Sequence, residues 1–87
     1  MTFAELIDRW DELVGGDIAA LAHPVALDFS GRLTLIVHEM ARPTPATDLE
    51  LSALAASIVA GLPDRIDGVR VRRVLWQRRR LSLMRTR

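Results

Sequence analysis

Between Trp10 and Val37 the chain reads WDELVGGDIAALAHPVALDFSGRLTLIV, an order of signals that leaves few folds open. A helical apolar stripe runs into two consecutive glycines, a short apolar turn follows, a proline breaks it, and two strand-like runs close around a tight turn. Upstream, Thr2 and Glu5 have the spacing of a capping box, and Phe3, Leu6, Ile7, Trp10, Leu13 and Val14 fall on one side of the helix they open. Gly15 and Gly16 end that helix, because glycine takes the backbone conformation a helix exit needs, and Asp17 caps a short second piece through Leu21. Pro24 stops further helix. Residues 25–29 and 32–39 then read as a β-hairpin around Ser30 and Gly31, with Leu33, Leu35 and Val37 on one face.

Beyond the hairpin, Pro43 and Pro45 exclude helix and central strand from residues 40–46. Thr47 and Glu50 repeat the capping-box spacing and open a second long helix whose buried stripe is Leu51, Leu54, Ala55, Ile58 and Leu62. Gly61 and Pro63 close it near Leu62. After a turn at Asp67 and Gly68, residues 69–76 alternate valine with arginine and slip phase at Arg73, the pattern of a third strand with a bulge. The resulting order, α-β-β-α-β, defines an α+β fold of two layers, a small and mostly antiparallel sheet with helices on one face. Residues 1–76 form the folded domain, and residues 77–87 are expected to be a mobile basic tail.

A chain of 87 residues folds as one domain and buries roughly 60 to 65% of its unfolded surface, which leaves no room for a deep cleft. Its 49% hydrophobic content suffices for a core. Cysteine is absent, so disulfides, thiolate nucleophiles and cysteine-held zinc are excluded, and with neither a basic leader nor a long apolar run at its start the expected location is cytoplasmic. All 12 basic residues are arginine, and their placement is lopsided. Residues 1–64 hold three arginines against ten acids, whereas residues 65–87 hold nine arginines against Asp67 alone. Such an asymmetry fits either a basic end that meets polyanions or an acidic body that meets its own tail.

No constellation for catalysis is visible. The two histidines, His23 and His38, have no cysteine or carboxylate set beside them, so no metal site and no cofactor is expected. His23 is expected to bond at the hairpin entry and His38 to face solvent or the sheet edge. No serine or carboxylate pair is matched with an imidazole, so the chain is not expected to be an enzyme or to take a small-molecule substrate. Trp10 lies on the apolar stripe and is read as core, Gly15 and Gly16 as a helix exit, and Glu5, Asp8, Asp11 and Glu12 as a solvated face. The remaining candidates are arginines: Arg70, Arg72 and Arg73 on the third strand, then Arg78, Arg79 and Arg80, with Arg85 and Arg87 at the end. Guanidinium forks suit phosphate oxygens, and Trp76 lies among them where an indole can stack on an unpaired base. The same alternation also suits the wet face of an edge strand.

Trp10, Val14, Gly15, Ile18, Ala19, His23, Pro24, Leu27, Gly31, Leu33 and Leu35 together resemble the DciA family of bacterial proteins that assist the replicative helicase. The resemblance covers about two thirds of the chain and is strongest over residues 6–37. It implies a KH-like fold, although the GxxG loop of nucleic-acid-binding KH domains is missing. It departs from the family over residues 40–49, where Pro43 and Pro45 replace a run of small residues that ends in a tryptophan. The function implied is a non-enzymatic replication accessory that binds a DnaB-type helicase and promotes its loading onto single-stranded DNA. Two other readings remain open: a stand-alone single-stranded RNA-binding module, and an adaptor whose arginines bind an acidic protein surface or fold back on Glu5, Asp8 and Glu12. No membrane partner is expected.

Overall fold

The structure, a computed structural model, describes residues 1–38 and 47–78. The chain forms α1 over Phe3–Asp8, α2 over Trp10–Val14, α3 over Gly16–Leu21, β1 over Ala22–Leu27, β2 over Arg32–Val37, α4 over Asp48–Gly61 and β3 over Arg73–Arg78. The proline-rich loop expected at 40–46 lies outside the described residues.

The capping box at Thr2 and Glu5 closes in both directions, with Glu5 N donating to Thr2 Oγ1 at 3.1 Å and Thr2 N donating to Glu5 Oε1 at 2.8 Å. The expected single helix over residues 3–14 is instead two, divided at Arg9, whose φ of −109° and ψ of 17° interrupt the helical backbone. Trp10 follows the break directly, is 5% exposed, and donates its indole Nε1–H to Ala22 O at 2.8 Å. An indole nitrogen in a core needs such an acceptor, so one bond ties the helical layer to the start of the sheet. Ile7, expected on the buried stripe, is 50% exposed, and Leu6 is the buried residue of α1. Gly15, with φ of 93°, is at once the end of α2 and the cap of α3, as the double glycine predicts, whereas Asp17 falls inside α3 and does not cap it.

The sheet corrects the mostly antiparallel expectation. Its order is β1-β2-β3, with β1 antiparallel and β3 parallel to β2. Once β1 holds one edge of β2, the chain crosses through α4 and returns in the same direction to the other edge, which is the connection a parallel pair requires. β1 begins at Ala22 rather than residue 25. Pro24 sits opposite Leu35 within it, a place open to proline because β1 is an edge strand, and a bulge follows between Pro24 and Ala26. The third strand begins at Arg73 rather than residue 69 and runs to Arg78, so Gln77 and Arg78 belong to the sheet and not to a tail. The slip of phase at Arg73 therefore marks the start of a strand, not a bulge within one. Residues 79–87 lie outside the described residues.

Leu33, Leu35 and Val37 alternate on the fully buried face of β2 and meet Leu6, Trp10, Leu21, Leu51, Ile58, Ile66 and Val71. Within α4, Leu51 and Ile58 are buried and Leu54 and Ala55 half-buried, as is Leu62 at its C-cap, close to the expected stripe. Gly61 is the last residue of α4, and a Cβ there would meet Leu13 O at 2.8 Å, so its small size serves the approach of α4 to α2. Asp67 and Gly68, with φ of 50° and 78°, join Ile66 to Val69 in a two-residue turn of the kind this dipeptide favours. Asp67 Oδ2 also accepts from Phe3 N at 3.0 Å, tying that turn to the first residue of α1.

Candidate nucleic-acid interface

The residues before β3 are anchored by the hairpin turn. Asp28 organises that turn, its Oδ1 accepting from Ser30 N at 3.0 Å, Ser30 Oγ at 2.7 Å and Arg32 N at 3.0 Å. These bonds, the Ser30 hydroxyl first, hold the Asp28 carboxyl below its ordinary pKa. Gly31 is buried at the end of the turn with φ of 90°, and its carbonyl accepts from Arg72 N at 2.8 Å and Arg73 N at 3.2 Å. A Cβ on Gly31 would lie 2.5 Å from Arg70 O. Glycine is what lets the arginine-bearing segment lie directly on the hairpin.

From this anchor β3 runs beside α4 and leaves a groove between them. Ser52, Ala55, Ala56 and Ala60 form its helical wall, Val74 and Trp76 its strand side, and Arg72 and Arg73 line it as well. Val59 completes the helical wall, which is otherwise made of small side chains. Trp76 is half-buried, packed against the core yet open to the groove. β3 is an edge strand, so among the described residues no further strand covers this side.

The arginines expected to form one strip are distributed over several surroundings. Arg72 and Arg73 line the same groove as Trp76, with Arg73 on the face of β3 opposite Val74 and Trp76. Arg70 pairs with Asp64, Nη2 to Oδ1 at 3.1 Å, with both side chains more than half exposed. Arg78, at the end of β3, reaches Asp48 in the first turn of α4 at 3.5 Å. Arg79, Arg80, Arg85 and Arg87 lie outside the described residues. Among the described residues, Asp64 and Asp48 are acidic partners of this end. Exposed pairs of this kind are worth about 0 to 1 kcal/mol and exchange readily for a phosphate.

Trp10, Gly15, Pro24 and Leu33 are architectural: core, helix junction, edge strand and central strand respectively. His23 and His38 are placed otherwise than expected, since they contact each other across β1 and β2. Their position was readable from the hairpin, because counting back from Ser30 and Gly31 puts both at its open end. No helix among the described residues is long and apolar enough to cross a membrane. No protein-family model matches the chain, and no curated protein or solved structure matches it.

Proposed function

We propose that this chain is a non-enzymatic DNA-replication accessory that holds single-stranded DNA in the α4–β3 groove while its folded body docks on a DnaB-type replicative helicase. The observation that carries the DNA-binding half is the meeting of Arg72, Arg73 and Trp76 in one open groove. Arginine supplies phosphate contacts at the rim of the groove, with Arg73 reaching it from the face of β3 opposite Trp76, and the indole supplies a stacking surface that tolerates any base. The helical wall, mostly alanine and serine with Val59, leaves the indole accessible from the groove. The helicase half, like the reading of the two layers as KH-like, rests on the DciA resemblance of residues 6–37. Without a phosphate-binding GxxxxGK[ST] loop in its sequence, such a loader acts through binding energy, raising the local concentration of the strand beside the helicase.

Co-sedimentation with the replicative helicase of the same source, with and without a single-stranded oligonucleotide, tests both halves. A complex that improves capture of the oligonucleotide, and that loses this property in Arg72→Ala/Arg73→Ala, supports the proposal. Tight RNA binding without a helicase complex favours the RNA-binding module instead. Helicase binding that is indifferent to the double substitution leaves an adaptor and removes the groove from the mechanism.

A further inference from the structure

We propose that His23 and His38 form a two-imidazole site for a divalent transition-metal ion such as Zn2+ or Cu2+, clamping β1 to β2 at the open end of the hairpin. His23 pairs with Ile36, and His38 lies two residues beyond Ile36, so the two histidines are diagonal neighbours on the sheet face opposite Leu35 and Val37. Side chains in that relation reach each other. Here they converge by their ring nitrogens: Nδ1 of His23 meets Nε2 of His38, with ring centroids 4.6 Å apart and planes inclined at 42°.

The tautomers follow from a third group. His38 Nδ1 lies 3.3 Å from Ala20 O, and because a carbonyl can only accept, Nδ1 of His38 carries the proton and Nε2 presents its lone pair. A backbone carbonyl that fixes the far nitrogen of an imidazole is the usual support of a metal-bound histidine. His38 is further held by its backbone N–H, which donates to Leu21 O at 2.7 Å. In the metal-free protein the lone pair of His38 takes the hydrogen on Nδ1 of His23. An ion takes the place of that hydrogen between the two nitrogens, and the proton of His23 passes to its own Nε2. Bonds of about 2.0 to 2.1 Å at a tetrahedral angle set the two nitrogens about 3.3 Å apart, which a small opening of the rings provides. Among the described residues no group of three metal-ligating side chains gathers, and the two imidazoles supply two of the ion's four tetrahedral positions.

The test uses the untagged 87-residue chain, titrated with Zn2+ alone by calorimetry and by thermal melting. One ion per chain and a melting temperature that rises with Zn2+ are expected, because an ion that binds only the folded state stabilises it. Affinity should fall at least about tenfold in His23→Gln and in His38→Gln, as loss of a metal-supporting group does. Should either variant fold poorly, long-range nitrogen–proton spectra of the parent give an independent reading, with Zn2+ shifting Nδ1 of His23 and Nε2 of His38 and leaving Nδ1 of His38 protonated. No saturable Zn2+ binding by the parent, or an unchanged response in the double variant, overturns the proposal.

Discussion

Replacing Gly31 by alanine should cost far more than its single added methyl suggests. Two terms combine. The backbone at φ of 90° is one that residues with a Cβ rarely adopt, a cost of about 1 to 3 kcal/mol. In addition the new Cβ would sit 2.5 Å from Arg70 O, and backbone cannot swing aside as a flexible side chain does, so the 70–73 segment must move off the hairpin turn. Overpacking of this kind costs a further 1 to 3 kcal/mol or so, giving a total of about 2 to 6 kcal/mol. Against a stability of roughly 4 to 13 kcal/mol for a chain of this size, that is a large share. With about 4 to 8 °C lost per kcal/mol in a small domain, the melting temperature should drop by at least about 8 °C. Gly68→Ala is the control, since Gly68 has a similar φ of 78° but nothing within 4 Å of an added Cβ. It should cost only the backbone term. Circular-dichroism melts of both variants decide the matter, with oligonucleotide anisotropy as a second readout because the shift displaces Arg72 and Arg73. If Gly31→Ala melts no lower than Gly68→Ala, the close approach to Arg70 is not what glycine serves.

Further outcomes are expected elsewhere. Trp10→Phe removes the donor to Ala22 O, leaves that buried carbonyl unpaired and should lower stability by about 1 to 3 kcal/mol in urea unfolding; an unchanged midpoint would mean the indole bond contributes nothing. Arg72→Ala/Arg73→Ala should flatten the salt dependence of oligonucleotide affinity by about 1.4 in logarithmic slope, while Trp76→Leu should weaken binding by about 1 to 3 kcal/mol per stacked base with the slope unchanged. Glu5 and Asp28 are both held below their ordinary pKa, Glu5 chiefly by the Thr2 backbone N–H and Asp28 chiefly by the Ser30 hydroxyl. The unfolded chain then binds more protons than the folded one. Their stabilisation is present above the unfolded carboxylate range of about 4 to 4.5 and is lost as pH falls through the lower folded values, so Asp28→Ala should flatten the acid limb of a stability–pH curve. Deleting residues 79–87, downstream of β3, should reduce oligonucleotide affinity without shifting the melting temperature, and a large drop in that temperature would give those residues a part in the fold.

Much of this architecture is legible in the chain because local rules govern it. Thr2 with Glu5, Thr47 with Glu50, and Asp67 with Gly68 all act where their spacing puts them, since caps and two-residue turns involve only neighbours. Residues whose partners are distant are less legible. The division at Arg9 accompanies the bond from Trp10 to Ala22, which periodicity cannot register. The direction of β3 depends on which edge of β2 remains open, and its start depends on Gly31 accepting the Arg72 and Arg73 amides. The number of arginines is plain in the chain, but the surroundings of Arg70, Arg72, Arg73 and Arg78 depend on the fold. Alternation along a strand sends successive side chains to opposite faces, and Asp64 and Asp48 draw two of them out of the row.

The crossover through α4 also sets an order of events during synthesis. β1 and β2 adjoin in sequence and can pair as soon as both have left the ribosome, but the second edge of β2 stays bare until Arg73–Arg78 is made. Until then the nascent chain displays Leu33, Leu35 and Val37 beside an open row of amides and carbonyls, the kind of edge that recruits other strands. When β3 seats, it closes that edge with a strand whose own exposed side carries arginine. The same step completes the groove against α4, so a chain cut short before Arg73 has neither a protected sheet edge nor that groove.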